Sequence, residues 1–95
     1  KYHIDDMYED SSKESGYYFE SGNTYMVVGA CDNDCSDIDM WLYDENRNEI
    51  DNDVSDDDMP VVFVMPRRSG IYYVKTKMYD CDAEPCSFGH IVMTK

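Results

Sequence analysis

Two short cysteine-bracketed loops hold the residues best suited to chemistry: Cys31-Asp-Asn-Asp-Cys35 and Cys81-Asp-Ala-Glu-Pro-Cys86. Carboxylates crowded between neighbouring thiols repel one another unless a cation sits among them. The first loop runs on into Ser36-Asp37-Ile38-Asp39, which adds two more. Oxygen donors without paired histidines suit Ca2+, which takes about six to eight oxygen ligands, better than zinc or copper. The candidate ligands are Asp32, Asp34, Asp37, Asp39, Asp56, Asp57, Asp58, Asp80, Asp82 and Glu84. They do not form an EF-hand: counted from Asp32, the position that needs glycine is Asp37 and the position that needs glutamate is Tyr43. The competing reading is a solvated acidic rim.

The four cysteines form an even set, as a disulfide framework requires. A zinc site would favour two-residue gaps and sulfur or histidine ligands, whereas these gaps are longer and filled with acids. Local pairing, Cys31 with Cys35 and Cys81 with Cys86, is preferred, and cross-pairing between the loops stays open. No apolar stretch is long enough to cross a bilayer. The chain begins at Lys1 rather than Met, which fits a mature product after removal of an export signal. The expected compartment is extracellular or periplasmic, with secretion preferred.

Acidic residues number 21 against 8 basic ones, for a net charge of -13. Such a surface is a poor partner for nucleic acid or anionic lipid. High charge can also mean disorder, but nine tyrosines and several runs of Val, Ile and Tyr argue for one folded domain.

The elements that must position the loops are short apolar runs separated by turn residues, the pattern of an all-β protein. Strands are expected at Gly16–Glu20, Thr24–Ala30, Ile38–Tyr43, Glu49–Asp53, Val61–Met65, Ile71–Tyr79 and Phe88–Thr94. Alternation sets Tyr72, Val74, Thr76 and Met78 against Lys75 and Lys77, and Ile38, Met40 and Leu42 against Asp39, Trp41 and Tyr43. The fold class is an antiparallel β-sandwich, jelly-roll-like, of about seven to eight strands with two disulfide-clasped loops. Residues 1–15 are polar and read as an N-terminal arm or leader, with 16–95 as the sandwich domain. If successive strands run antiparallel, the loops Cys31–Asp37, Val54–Met59 and Asp80–Ser87 share one strongly anionic end. Arg47, Arg67 and Arg68 then mark a mildly cationic opposite end.

Three segments in order carry a family resemblance: Gly16-Tyr-Tyr-Phe-Glu-Ser-Gly-Asn-Thr-Tyr, Ser36-Asp-Ile-Asp-Met-Trp-Leu-Tyr-Asp-Glu-Asn and Ser69-Gly-Ile-Tyr-Tyr-Val-Lys. Together they resemble the bacterial pre-peptidase C-terminal domain family over about residues 16–94. The resemblance implies a jelly-roll-like sandwich of secreted proteins, similar also to calcium-dependent collagen-binding domains. Arg47 stands where that pattern usually has a turn glycine, and the two cysteine loops are additions to it.

Catalytic signatures are missing: the imidazoles are His3 and His90 alone, with no nucleophile elbow, zinc-protease helix motif or phosphate loop. A non-enzymatic role is expected. Opposite charges at the two ends favour head-to-tail self-association into a filament, with calcium between neighbours and the N-terminal arm reaching onto the next subunit. The alternative is a binding module for an extracellular polymer, collagen-like or polysaccharide, that grips through exposed Trp41, Tyr43, Tyr73 and Tyr79.

Overall fold

Strand β7 (Gly70–Cys81) carries the alternation most plainly: Tyr72, Val74, Thr76 and Met78 are buried, while Tyr73, Lys75, Lys77 and Tyr79 lie on the other side. The computed structural model of the chain describes residues 2–33, 35–55 and 58–95. Among them are seven further strands, β1 (Tyr2–Met7), β2 (Ser12–Phe19), β3 (Tyr25–Cys31), β4 (Cys35–Tyr43), β5 (Glu49–Asp53), β6 (Val61–Val64) and β8 (Cys86–Thr94), and no helix. They pair antiparallel in two four-stranded sheets, β1-β8-β3-β6 (sheet 1) and β2-β7-β4-β5 (sheet 2). Every connection passes between sheets except the β4–β5 hairpin. This is the strand order of a jelly roll, as the sequence led us to expect.

Residues 2–15 depart from the arm expected over 1–15. Strand β1 pairs with β8 from Tyr2 opposite Ile91 to Met7 opposite Cys86, and β2 starts at Ser12 rather than Gly16. The polar run Ser12–Ser15 is accommodated because β2 is an edge strand, with Glu14 opposite Lys75. Only Met7 of the β1 side chains described is buried. An edge strand anchored at one end leaves little apolar pattern to read.

The core has two parts. Phe19, Tyr25, Val27, Met40, Leu42, Val62, Val64, Tyr72 and Val74 fill the middle. There Phe19 stacks on Tyr25 at 4.0 Å between centroids and on Tyr72 at 5.4 Å. Met7, Ile38, Met78, Phe88 and the cysteines Cys35, Cys81 and Cys86 fill the end near the clasps. Between them the sheets approach closely at Gly29. A Cβ there would stand 2.8 Å from Met40 Cε and 3.1 Å from the Pro60 ring.

Polar stitches close both open sides of the sandwich. On one side, the backbone N–H groups of Val61 and Phe63 on edge strand β6 donate to Asp53 Oδ2 at 3.0 Å and Asp51 Oδ2 at 2.9 Å, both from β5 of the other sheet. These bonds occupy edge donors that would otherwise invite another strand. They also hold the Asp53 carboxyl below its usual range, the Val61 N–H being the main cause. On the other side, Lys13 of β2 donates to Asp5 of β1 at 2.8 Å.

Candidate functional site

Antiparallel order brings the ends of β1, β3 and β7 and the starts of β2, β4 and β8 to one tip. The register shows it directly, with Met7 opposite Cys86, Cys31 opposite Phe88 and Cys35 opposite Cys81. Both disulfides form locally, Cys31–Cys35 and Cys81–Cys86, and no described cysteine is free. Each clasp joins sheet 1 to sheet 2, since Cys31 and Cys86 lie on one sheet and Cys35 and Cys81 on the other. The sulfurs therefore form part of the core as well as pinning loops.

Many of the tip carboxylates serve as hydrogen-bond acceptors. Asp32 Oδ2 accepts from the Ser87 N–H at 2.9 Å, and Asp80 Oδ2 accepts from the Ser36 hydroxyl at 2.7 Å. Asp37 sits in a β4 irregularity opposite Asp80. Asp39 is 8% exposed on the outer side of β4, with Lys77 as its register partner. Asp82 and Glu84 are exposed in the second clasped turn, and Asp58 is exposed in the β5–β6 connection. That connection is anchored lower down, at Asp53 opposite Met40 and Val61 opposite Val28. Asp34, Asp56 and Asp57 lie outside the described residues. Among the described residues, no three of His, Cys, Asp and Glu are grouped to hold one metal ion.

The N-terminal segment adds acids to this tip that its polar composition did not reveal. Glu84 Oε2 accepts from the Glu9 N–H at 2.8 Å, Glu9 Oε1 accepts from the Cys81 N–H at 3.1 Å, and Asp6 accepts from the Ser87 hydroxyl at 2.8 Å. Locating them required the pairing of β1 with β8.

The opposite pole differs from the cationic end expected. Arg47 is drawn away: its guanidinium lies 3.8 Å from the centroid of Tyr73 and donates to Glu14, on the outer face of sheet 2. The Glu14 carboxylate pushes its pKa up further. At φ 69° Arg47 occupies the left-handed region that favours glycine, and these contacts offset that strain. Arg67 and Arg68 remain at the pole, where they share a cleft of about 400 Å³ with Asp44, Glu45 and Tyr72. The cleft is electrically balanced. The Tyr72 hydroxyl donates to the Arg68 carbonyl at 2.9 Å, and burial, followed by Asp44 and Glu45, pushes its pKa up. Asp44 is held low, chiefly by the Asn48 N–H.

Trp41, Tyr43, Tyr73 and Tyr79 stand on the outer face of sheet 2, the side opposite the buried Ile38, Met40 and Leu42. Lys75 lies 5.3 Å from the Trp41 ring centre and Lys77 5.4 Å from that of Tyr79. This face is aromatic and charged.

The outer face of sheet 1 was not singled out by the sequence. Its outward side chains are Ile4 and Asp6 from β1, Met26, Val28 and Ala30 from β3, Ser87, Ile91 and Met93 from β8, and Val61 and Phe63 from β6, with Met65 just beyond. At the tip-side border of this face is a hollow of about 470 Å³ lined by Ile4, Ala30, Met59, Gly89 and Ile91, with Asp32 and Ser87 at one end. His90 also lines it, but Tyr17 packs edge-on against its ring and its Nε2 shares a hydrogen bond with the Tyr17 hydroxyl.

No protein-family model matches the chain, and none of the curated proteins compared with it matches it.

Proposed function

We propose that this chain is a secreted, non-catalytic β-sandwich subunit, akin to pre-peptidase C-terminal domains, that associates with copies of itself. The observation that carries the reading is the outer face of sheet 1, where the described outward side chains of the strands are apolar except for the paired Asp6 and Ser87 at the tip-side border, on a chain of net charge -13. Ile4, Met59, Phe63, Met65, Ile91 and Met93 are 41% to 73% exposed. At about 200 Å² for a fully exposed residue of this size, they present roughly 700 Å² of apolar surface. Spread along the face, that total is comparable with the largest patch of an ordinary monomer, about 300–600 Å², and approaches the ~800 Å² each partner buries in a stable complex. A second copy suits this face because its exposed area is near what each partner of a stable pair buries, and the apolar strand residues add no charge to the contact. Disulfide clasps within the core are compatible with an oxidising, extracellular setting. The test is molar mass by light scattering against concentration. Mass should rise with concentration and rise further with salt, which screens the mutual repulsion. A constant monomer mass up to about 100 µM removes the reading.

Calcium at the clasped tip is a separate proposal, supported by the charge density of Asp32, Asp37, Asp80, Asp82 and Glu84. Calorimetric titration of chelated protein should give a dissociation constant of roughly 0.1–1 mM. No binding heat would leave the tip as a solvated rim. Binding of an extracellular polymer is the second functional reading, favoured by Trp41 beside Lys75 on sheet 2. It requires Trp41→Ala to weaken retention on immobilised collagen or polysaccharide.

A further inference from the structure

The apolar face is uneven in a way that suits one particular partner geometry. Phe63, 53% exposed, projects from β6 at the row where it pairs with Met26 of β3. The hollow floored by Ala30 and Gly89 lies at the row where those two residues pair, on β3 and β8. Strand β3 lies between β6 and β8, and Val28 lies midway between Met26 and Ala30 on its outward side. A projection and a hollow thus sit on either side of Val28. At about 4.8 Å per strand and 3.3 Å per residue, Phe63 and Gly89 are roughly 16 Å apart along the face.

We propose that two copies pair through this face about a two-fold axis lying in the contact plane at Val28, each inserting Phe63 into the Ala30–Gly89 hollow of the other. The inference rests on the self-association argued above and fixes its form. An isologous contact needs each surface to carry both halves of the fit, and this face does. The small residues in the hollow leave room for a phenyl ring, with Ile4, Met59 and Ile91 as its walls. Val28 meets its own counterpart at the axis. Among the described residues of the sheet 1 strands, the outward carboxylate is Asp6, and Asp32 stands at one end of the hollow, so the ring can be buried against Ala30 and Gly89 with both carboxylates left at the tip-side border. The pair is closed. It uses up the apolar face and leaves both acidic tips in water, so it ends at two copies rather than extending head to tail.

Two uncharged substitutions separate the possibilities, neither altering the net charge. Phe63→Thr removes the projection and keeps a good strand former. Ala30→Gln fills the hollow from an exposed position. Sedimentation of the full chain from about 1 to 100 µM, in about 20 and 500 mM salt, should show monomer and dimer alone, with the dimer favoured by salt. Phe63→Thr should raise the dimer dissociation constant at least about 30-fold and Ala30→Gln about 10-fold, each with a cooperative melt retained. Should one variant fail to fold, the other still decides. Association that persists unchanged in the folded variant, or that continues beyond two copies, overturns the two-fold pair while self-association stands. A wild-type chain that is monomeric at every concentration and salt overturns both.

Discussion

Replacing Met7 by alanine is the sharpest test of how the N-terminal segment belongs to this domain. Met7 is 1% exposed and packs with Ile38, Met78, Phe88 and the disulfide sulfurs at the tip. Truncation removes its transfer free energy and leaves a cavity that the clasped loops cannot readily collapse, a loss of about 2–5 kcal/mol. A domain of this size has roughly 5–15 kcal/mol in all. A loss of about 3 kcal/mol corresponds to a fall in Tm of about 15 °C. With a slope near 1.5 kcal/mol/M, it lowers the urea midpoint by about 2 M. Trp41, the single tryptophan, gives the fluorescence signal, and Tyr8→Ala serves as the control because Tyr8 is 61% exposed on the next residue. The control should change stability by less than about 0.5 kcal/mol. If Met7→Ala matches the control, β1 is not held by the tip core and the account of that end of the sandwich is wrong. The consequence reaches function, because loss of β1 removes Ile4 from the apolar face and bares the edge of β8.

Reducing both disulfides should lower stability by about 4 kcal/mol, since closing loops of separation 4 and 5 restricts the unfolded chain by about 2 kcal/mol each. Hydrogen exchange should show the tip amides opening first, and an unchanged melt after reduction would contradict the role of the sulfurs in joining the sheets. Asp53 has a folded pKa below its unfolded one, so its contribution is present above about pH 4 and lost as pH falls through the folded value. Asp53→Asn keeps an oxygen for the Val61 N–H, so its urea midpoint should fall less than the wild type's over that acid range. Equal slopes would refute the assignment, with Asp44 titrating alike in both proteins. Gly29→Ala should cost about 1–3 kcal/mol by pressing on Met40 and Pro60, and a wild-type urea midpoint would show that Met40 moves aside freely.

What the sequence determined by itself is what local rules encode. In β4 and β7 one parity is apolar and the other charged or aromatic, so their inward faces could be read before any partner was known. The cysteine pairs lie so close in the chain that local closure was the preferred pairing, and it is the one that forms. Tertiary structure alone decided the rest. In β3, β6 and β8 both parities are apolar or nearly so, as in Tyr-Met-Val-Val-Gly-Ala and Val-Val-Phe-Val. A period of two then carries no orientation, and only packing against sheet 2 decides that Val27, Val62 and Phe88 turn inward while Val28, Phe63 and Ile91 turn out. Strand β1 was hidden for a related reason. Its place depends on backbone pairing with β8 at the far end of the chain, with Tyr2 opposite Ile91 and Met7 opposite Cys86, and main-chain hydrogen bonds leave no mark on side-chain composition. Arg47 shows the limit from the other direction: its charge was legible, but Glu14 and Tyr73, which reach it only across sheet 2, determine where that charge is spent.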